Sequence, residues 1–447
     1  MRYLTVCVLV LSMCATFVGA QSSSSSSKIT INEDNVLLID GKKIFPIGFT
    51  LPPLPGATTP DGKDGLQELY DAGGSFMRTG PSGSQGWDDD WIAKEKAWQD
   101  AAAKAGMRCL PWLKELAHIG EGDAEKEKRL RHVIDTFKNH PGMGCWKGDD
   151  EPEWGKTPVP HLERAYSIIR EQDPTHPVWI VEAPRGTIDT LRAYSNPKTR
   201  DITGVDIYPV SFPPGIHSLL PNDEISLVGD HARIMMDVAQ GKMPVWLTLQ
   251  VAWSGVWKEG RTLTFPTYHQ QRFMAYQSII TGARGLIYFG GNLPTTLTPE
   301  DSKHGWNWTY WRKTLRPIIE ELGHKSPLTP ALVAKNSDMF LTAKVIGVPF
   351  ARAKGLEYLV REDGDDIYIL ACKREGDAVQ IHFEWLPPTN PTGEVMFESP
   401  RKVMVKTTKD EKGNAIHGFT DYFGPFDVHV YKFKRTGPNP TTKRARE

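Results

Sequence analysis

Cysteine is scarce in this chain, five in 447 residues, and the 53 Lys and Arg are balanced by 54 Asp and Glu. The first scarcity excludes a disulfide-built scaffold. The second leaves no basic surplus for nucleic acid as a main partner. The 13 His form no HxH or HExxH pair that would build a zinc site, there is no GxSxG elbow of an α/β-hydrolase, and no Gly-rich phosphate loop follows the first strand. No metal or cofactor is expected. The longest apolar run, Leu4 to Val18, falls short of the ~20 residues that cross a bilayer, so no stable membrane insertion is expected.

That run follows Arg2 and ends at Gly19-Ala20, the pattern of a cleaved secretory signal over 1–20, with a Ser-rich linker over 21–28 behind it. The expected location is secreted, periplasmic or extracellular. Met13 is too large for the residue before a lipidated Cys14, which disfavours a lipoprotein anchor. Cleavage leaves Cys109, Cys145 and Cys372. The first and second fall on adjacent predicted strands, close enough to pair after export, yet as buried wall residues they need no partner.

From Phe45 the chain repeats one rhythm of a short apolar run, a polar loop and an amphipathic stretch. The spacing predicts strands at Phe45–Thr50, Ser75–Thr79, Met107–Trp112, Gly142–Lys147, Pro177–Glu182, Ile202–Tyr208, Pro244–Gln250 and Arg284–Phe289, most followed by a helix. Eight such units over 29–334 specify an α/β fold, a (β/α)8 TIM barrel. Past Lys335 short strands separated by turns predict a small antiparallel β-sandwich over 335–434, then a flexible tail over 435–447.

A barrel of this kind places reacting groups at the C-terminal ends of its strands. The strongest local signal there is Trp146-Lys147-Gly148-Asp149-Asp150-Glu151-Pro152-Glu153-Trp154. Four carboxylates within five residues, beside two Trp, raise at least one pKa by repulsion and desolvation, and a protonated carboxyl is a general acid. The competing interpretation is a solvated acidic loop that caps the next helix.

Four segments in order, Ile39-Asp40-Gly41-Lys42-Lys43-Ile44-Phe45-Pro46-Ile47-Gly48, Met77-Arg78-Thr79-Gly80, Gly144-Cys145-Trp146 leading to Asp150-Glu151-Pro152, and Gly282-Ala283-Arg284-Gly285-Leu286-Ile287-Tyr288, resemble the clan-A retaining glycoside hydrolases. The resemblance implies a carbohydrate substrate and Glu151 as acid/base. It also implies Asp150 in place of an Asn that contacts the sugar, and Arg78 orienting a carboxylate. It fails at the seventh strand, where the family has a nucleophilic Glu and this chain has Gln250, with no carboxylate between Lys242 and Lys258.

Four explanations stay open. Glu182 or Asp206 from another strand end substitutes; one of them acts as base in an inverting reaction, ~6.5–9.5 Å from Glu151; the substrate supplies an acetamido nucleophile, with Asp150 and Glu151 as the assisting dyad; or the barrel is a non-catalytic sugar binder. Glu182 has a competing role as an ion-pair residue near Arg185, and Asp206 as a buried acid paired with Arg78 or Lys147. Tyr208 and Tyr288 are candidate hydrogen-bond donors to sugar or carboxylate. Trp112, Trp146, Trp154, Trp253 and Trp257 fall on the predicted active face as stacking platforms, with core packing as the alternative for each, and Trp306 and Trp308 form a further candidate wall. Asn307-Trp308-Thr309 is a glycosylation acceptor if the host is eukaryotic.

Overall fold

The computed structural model describes residues 27–213, 217–252, 259–346 and 355–438. Eight parallel strands form one sheet: β1 Ile47–Phe49, β2 Phe76–Thr79, β3 Arg108–Pro111, β4 Trp146–Asp150, β5 Val178–Glu182, β6 Ile202–Ile207, β7 Val245–Gln250 and β8 Gly285–Phe289. β8 pairs back onto β1, and parallel bridges Cys109 to Met143 and Trp112 to Lys147 join β3 to β4, closing the barrel. The fourth strand starts later than the sequence predicts. Pro141 to Met143 turn sharply, Met143 N donating to His140 O at 2.9 Å, and the ladder is displaced between Lys147 and Asp150. The acidic segment therefore begins inside the strand.

Alternation along each strand divides the barrel wall into two layers. Phe76, Leu110, Cys145, Trp179, Ile202, Trp246 and Ile287 fill the lumen, and Ile29 and Leu37 of an N-terminal three-stranded sheet belong to the same cluster. Trp179 and Trp246 lie 6.0 Å apart, and a Cβ on Gly204 would meet the backbone oxygen of Trp246 at 2.0 Å, so only glycine lets β6 and β7 approach this closely. Residues of the other parity, such as Val178, Ile180, Leu247 and Leu249, pack against the helices. Cys109 faces the helices and Cys145 the lumen, and both are free thiols, which removes the pairing their neighbouring strands suggested.

Beyond the barrel, a four-stranded and a five-stranded antiparallel sheet enclose a second core of Phe383, Phe419, Phe423, Tyr431 and Phe433. In the strand Asp366–Lys373, Ile367, Ile369 and Ala371 face that core, while Tyr368, Leu370 and Cys372 join the barrel's outer cluster. The sandwich is thus docked on the barrel through a buried face, reinforced by Arg233 and Arg374 on Glu357 and by Arg272 donating to Val428 O at 2.8 Å. No helix among the described residues is long and apolar enough to cross a membrane.

Candidate active site

Above the aromatic lumen the inward row turns polar: Arg78 on β2, Trp112 after β3, Lys147 on β4, Asp206 on β6 and Gln250 on β7. Glu151 enters this layer from the end of β4 with φ 50° and ψ 49°, a left-handed conformation that costs a non-glycine residue of order 1 kcal/mol. Its N–H donates to Val181 O and its carbonyl accepts from Gly155 N, both at 2.9 Å, so the ladder and the short helix Pro152–Gly155 hold the turn in place.

The acidic cluster does not act as one unit. Asp149 accepts from Thr157 Oγ1 at 2.8 Å and faces His118 at 3.5 Å. Asp150 pairs with the buried Lys147 ammonium at 2.9 Å, and Glu153 with Lys156 at 2.8 Å. Among the described residues, Glu151 alone of the four lacks a cation in ion-pair contact. It approaches Asp206 instead, the two carboxyls within reach of a shared proton, and Tyr208 stands beside Asp206. Asp206 Oδ1 is buried with no protein N–H or O–H donating to it. Two carboxylates can hydrogen-bond only through a proton, so the contact favours the state in which the pair keeps one. Burial first, and then the charge of Asp150, pushes Glu151 above the usual carboxylate range, while burial and the charges of Glu151 and Asp150 push Asp206 well above it.

Several sequence expectations are redistributed. Glu182 has the outward parity of Val178 and Ile180. It is fully buried in an ion pair with Arg200 at 2.8 Å, not with Arg185, and its other oxygen accepts from Glu153 N at 3.1 Å. It braces the wall and does not enter the mouth. Asp206 pairs with neither Arg78 nor Lys147. Gln250 is fully buried, its Oε1 accepting from Val210 N and its Nε2 donating to Val210 O, both at 2.8 Å, so the amide is enclosed and anchored on Val210. Tyr288 faces the helix layer against Phe49, its ring 1% exposed and its hydroxyl without a partner, so it does not line the mouth. Trp112 carries the Arg78 guanidinium 4.8 Å from its ring centroid and presents no bare face on that side. Trp146 packs among the helices and donates to Asp173 at 2.8 Å. Trp154 is 53% exposed, with Arg185 lying 4.6 Å over its ring. Trp306 and Trp308 are core residues, and Asn307 is a buried helix cap, its Oδ1 accepting from Tyr310 N at 3.0 Å, which removes it as a glycan acceptor. Trp253 and Trp257 lie outside the described residues. Among the described residues no cluster of His, Cys, Asp and Glu is placed to hold a metal ion.

Two residues of the site went unread in the sequence. His217 stacks on Tyr208 at 4.5 Å with Nε2 4.0 Å from Asp206, and burial pushes its pKa down to about 3, so it is neutral and adds no charge. Glu95, on the helix Asp89–Ala105, is buried behind β2, where it accepts from Thr79 Oγ1 at 2.7 Å, Gly80 N at 3.0 Å and Gln99 Nε2 at 3.1 Å. It fastens the segment just after Arg78. Burial pushes its pKa up to about 7. An acid whose pKa is raised on folding stabilises fully below its unfolded value, near 4.5, and that stability is lost as pH climbs through about 7. Glu95→Gln removes the loss, and its amide can donate to Gln99 Oε1, which has no partner. The expected result is a variant more stable than wild type by roughly 2–3 kcal/mol at alkaline pH and indistinguishable from it in acid, read from urea unfolding in both buffers.

No family model matches the chain, and no curated protein matches it by sequence. Among solved structures it is similar to a protein described as a glycoside hydrolase, with a TM-score of 0.57, 16% identity, and coverage of 92% of this chain and 97% of that one. It is equally similar to a glycoside hydrolase of family 5 from Bacteroides vulgatus, with a TM-score of 0.57, 14% identity, and coverage of 91% and 94%. Both likenesses span the barrel and the sandwich together, and the chain has the two-part fold of these glycoside hydrolases.

Proposed function

We propose that the chain is an O-glycoside hydrolase acting on poly- or oligosaccharides, with Glu151 as general acid/base and Asp206 as the atypical second catalytic group. The observation that carries this is the proton-sharing contact between Glu151 and Asp206 at the C-terminal mouth of the barrel. When Glu151 passes the shared proton to the leaving oxygen, two negative charges remain beside the anomeric carbon as it becomes cationic. The site is then complementary to the transition state rather than to the bound sugar. Side chains in hydrogen-bond contact stand closer than the ~5–5.5 Å of retaining or the ~6.5–9.5 Å of inverting pairs. The anomer formed first, read by NMR, reports which group meets that carbon.

Asp206→Asn tests the role of the pair. An amide can still donate to Glu151, but it carries no proton of its own to share, and the member of the pair raised furthest is gone. Turnover at neutral pH is expected to fall about 10–100-fold, with the alkaline limb of kcat/KM displaced to lower pH and activity partly regained in acid. A residue that only supported the fold would lower the whole profile without moving it.

One observation favours a second reading. Gln250 leaves β7 without a carboxylate and is itself fully engaged, which suits a sugar-binding protein that lacks a nucleophile. Reducing-end release from a panel of polysaccharides separates the two: a binder retains glycans and releases none. Export of the chain is part of the proposal. Its support is the leader pattern of the sequence, and N-terminal sequencing of the exported protein is expected to begin at Gln21.

A further inference from the structure

Arg78 stands out among the cations of the mouth. Lys147, in the same polar layer, is matched by Asp150. Arg78 is partly buried on β2, its Nε donating to Thr50 O at 3.2 Å, and no Asp or Glu of the described residues comes within ion-pair distance of it. The internal segments outside the described residues, 214–216, 253–258 and 347–354, contain no acidic residue that could serve. Burial pulls the guanidinium pKa down, with only the more distant charges of Asp150 and Tyr208 opposing it. Even a partly buried charge without a counterion carries a desolvation cost, and the Trp112 face offsets only part of it.

The resemblance to the clan-A hydrolases has Arg78 orient a carboxylate and a nucleophilic Glu end β7. Here the side chain that ends β7 is an amide paired with Val210, so that strand offers no carboxylate. With the Nε edge of the guanidinium on Thr50 O and one face on an indole, its Nη edge is left, two parallel N–H groups suited to a planar two-oxygen acceptor. We propose that Arg78 pairs with a carboxylate of the substrate, and that the glycan taken by this barrel therefore contains a uronic acid unit seated at β2 beside Trp112. A tetrahedral sulfate ester is the weaker fit, because its third oxygen would project out of the guanidinium plane.

This inference rests on the glycosidase reading, and binding separates the two. Oligouronates of four to six units, and the same oligosaccharides with their carboxyls reduced to alcohols, are titrated calorimetrically into the full chain carrying Glu151→Gln. The acidic form is expected to bind at least about tenfold more tightly, and adding Arg78→Lys, which keeps the charge but loses the fork, to remove that advantage while leaving the reduced form unaffected. Thermal unfolding of Arg78→Met supplies a readout that a structural role would move the other way: removing an unmatched charge is expected to leave the melting temperature unchanged or raise it. Equal affinity for both forms, an equal loss of both on Arg78→Lys, binding of neither, or tighter binding of a sulfated oligosaccharide each overturns the proposal. Cleavage of neutral glycans with no preference for uronates overturns it and keeps the hydrolase reading. Arg78-dependent binding of uronates without cleavage does the reverse.

Discussion

Glu151→Gln is expected to lower turnover by about 10²–10⁴-fold while the affinity for oligosaccharide stays within a few-fold of wild type. The substitution is nearly isosteric, and the left-handed turn at Glu151 is held by backbone hydrogen bonds to Val181 and Gly155 that it does not touch. The loss is confined to the proton. In the wild type, kcat/KM is expected to fall on the alkaline side as the last proton leaves the Glu151–Asp206 pair, above the usual carboxylate range because burial and the neighbouring negative charge favour keeping that proton. In the variant that limb disappears, because an amide has no proton to lose. Initial rates across acidic, neutral and alkaline pH, with calorimetry for affinity, measure both parts. Unchanged turnover in the variant would exclude Glu151 as the acid and with it the assignment of this mouth as a hydrolase centre.

Glu151 was legible because its signal is local. Carboxylates and Trp packed into nine residues at a strand end demand an explanation at any register, and the displaced start of β4 moved the strand without moving the cluster. Glu182 illustrates a signal present in the sequence and easily passed over. In Val178-Trp179-Ile180-Val181-Glu182 the acid has the parity of the residues that pack on helices, so once the barrel is accepted it belongs to the outer layer, where Arg200 awaits it. Its partner has no such signal, because Arg200 lies eighteen residues on, at the far end of a helix and loop whose path the periodicity does not give. The contact between Glu151 and Asp206 was less accessible still. It joins β4 to β6 across the mouth, skipping the strand between them, and it depends on the bulge near Asp150 that aims Glu151 inward. The aromatic residues mislead for a related reason. Trp112, Trp146, Trp306 and Trp308 have the composition of sugar platforms, but composition does not say which face is covered, and here a guanidinium, a helix layer and a tryptophan cluster cover them.

Gln250→Glu is the substitution that the resemblance to retaining hydrolases invites, and the structure gives the opposite forecast. The amide is fully buried and paired twice with Val210, once as acceptor and once as donor. An ionised Glu keeps the bond from Val210 N and sets a charged oxygen against Val210 O, an uncompensated buried charge worth about 3–5 kcal/mol of destabilisation. A protonated Glu escapes this, since its O–H can donate to Val210 O as the amide N–H does. The folded state therefore raises the pKa of the introduced acid. By linkage the variant should match wild type in acid and lose stability as pH rises through neutrality. No retaining activity is expected at any pH, because the same two bonds that hold the amide keep the acid turned away from the anomeric carbon. Urea unfolding in acidic and alkaline buffer reads the first part, and NMR of the first-formed anomer the second. A variant of undiminished stability at alkaline pH that yields a retained product would mean that the side chain at the end of β7 swings freely into the mouth, and the account of Arg78 as a guanidinium lacking a protein counterion would fall with it.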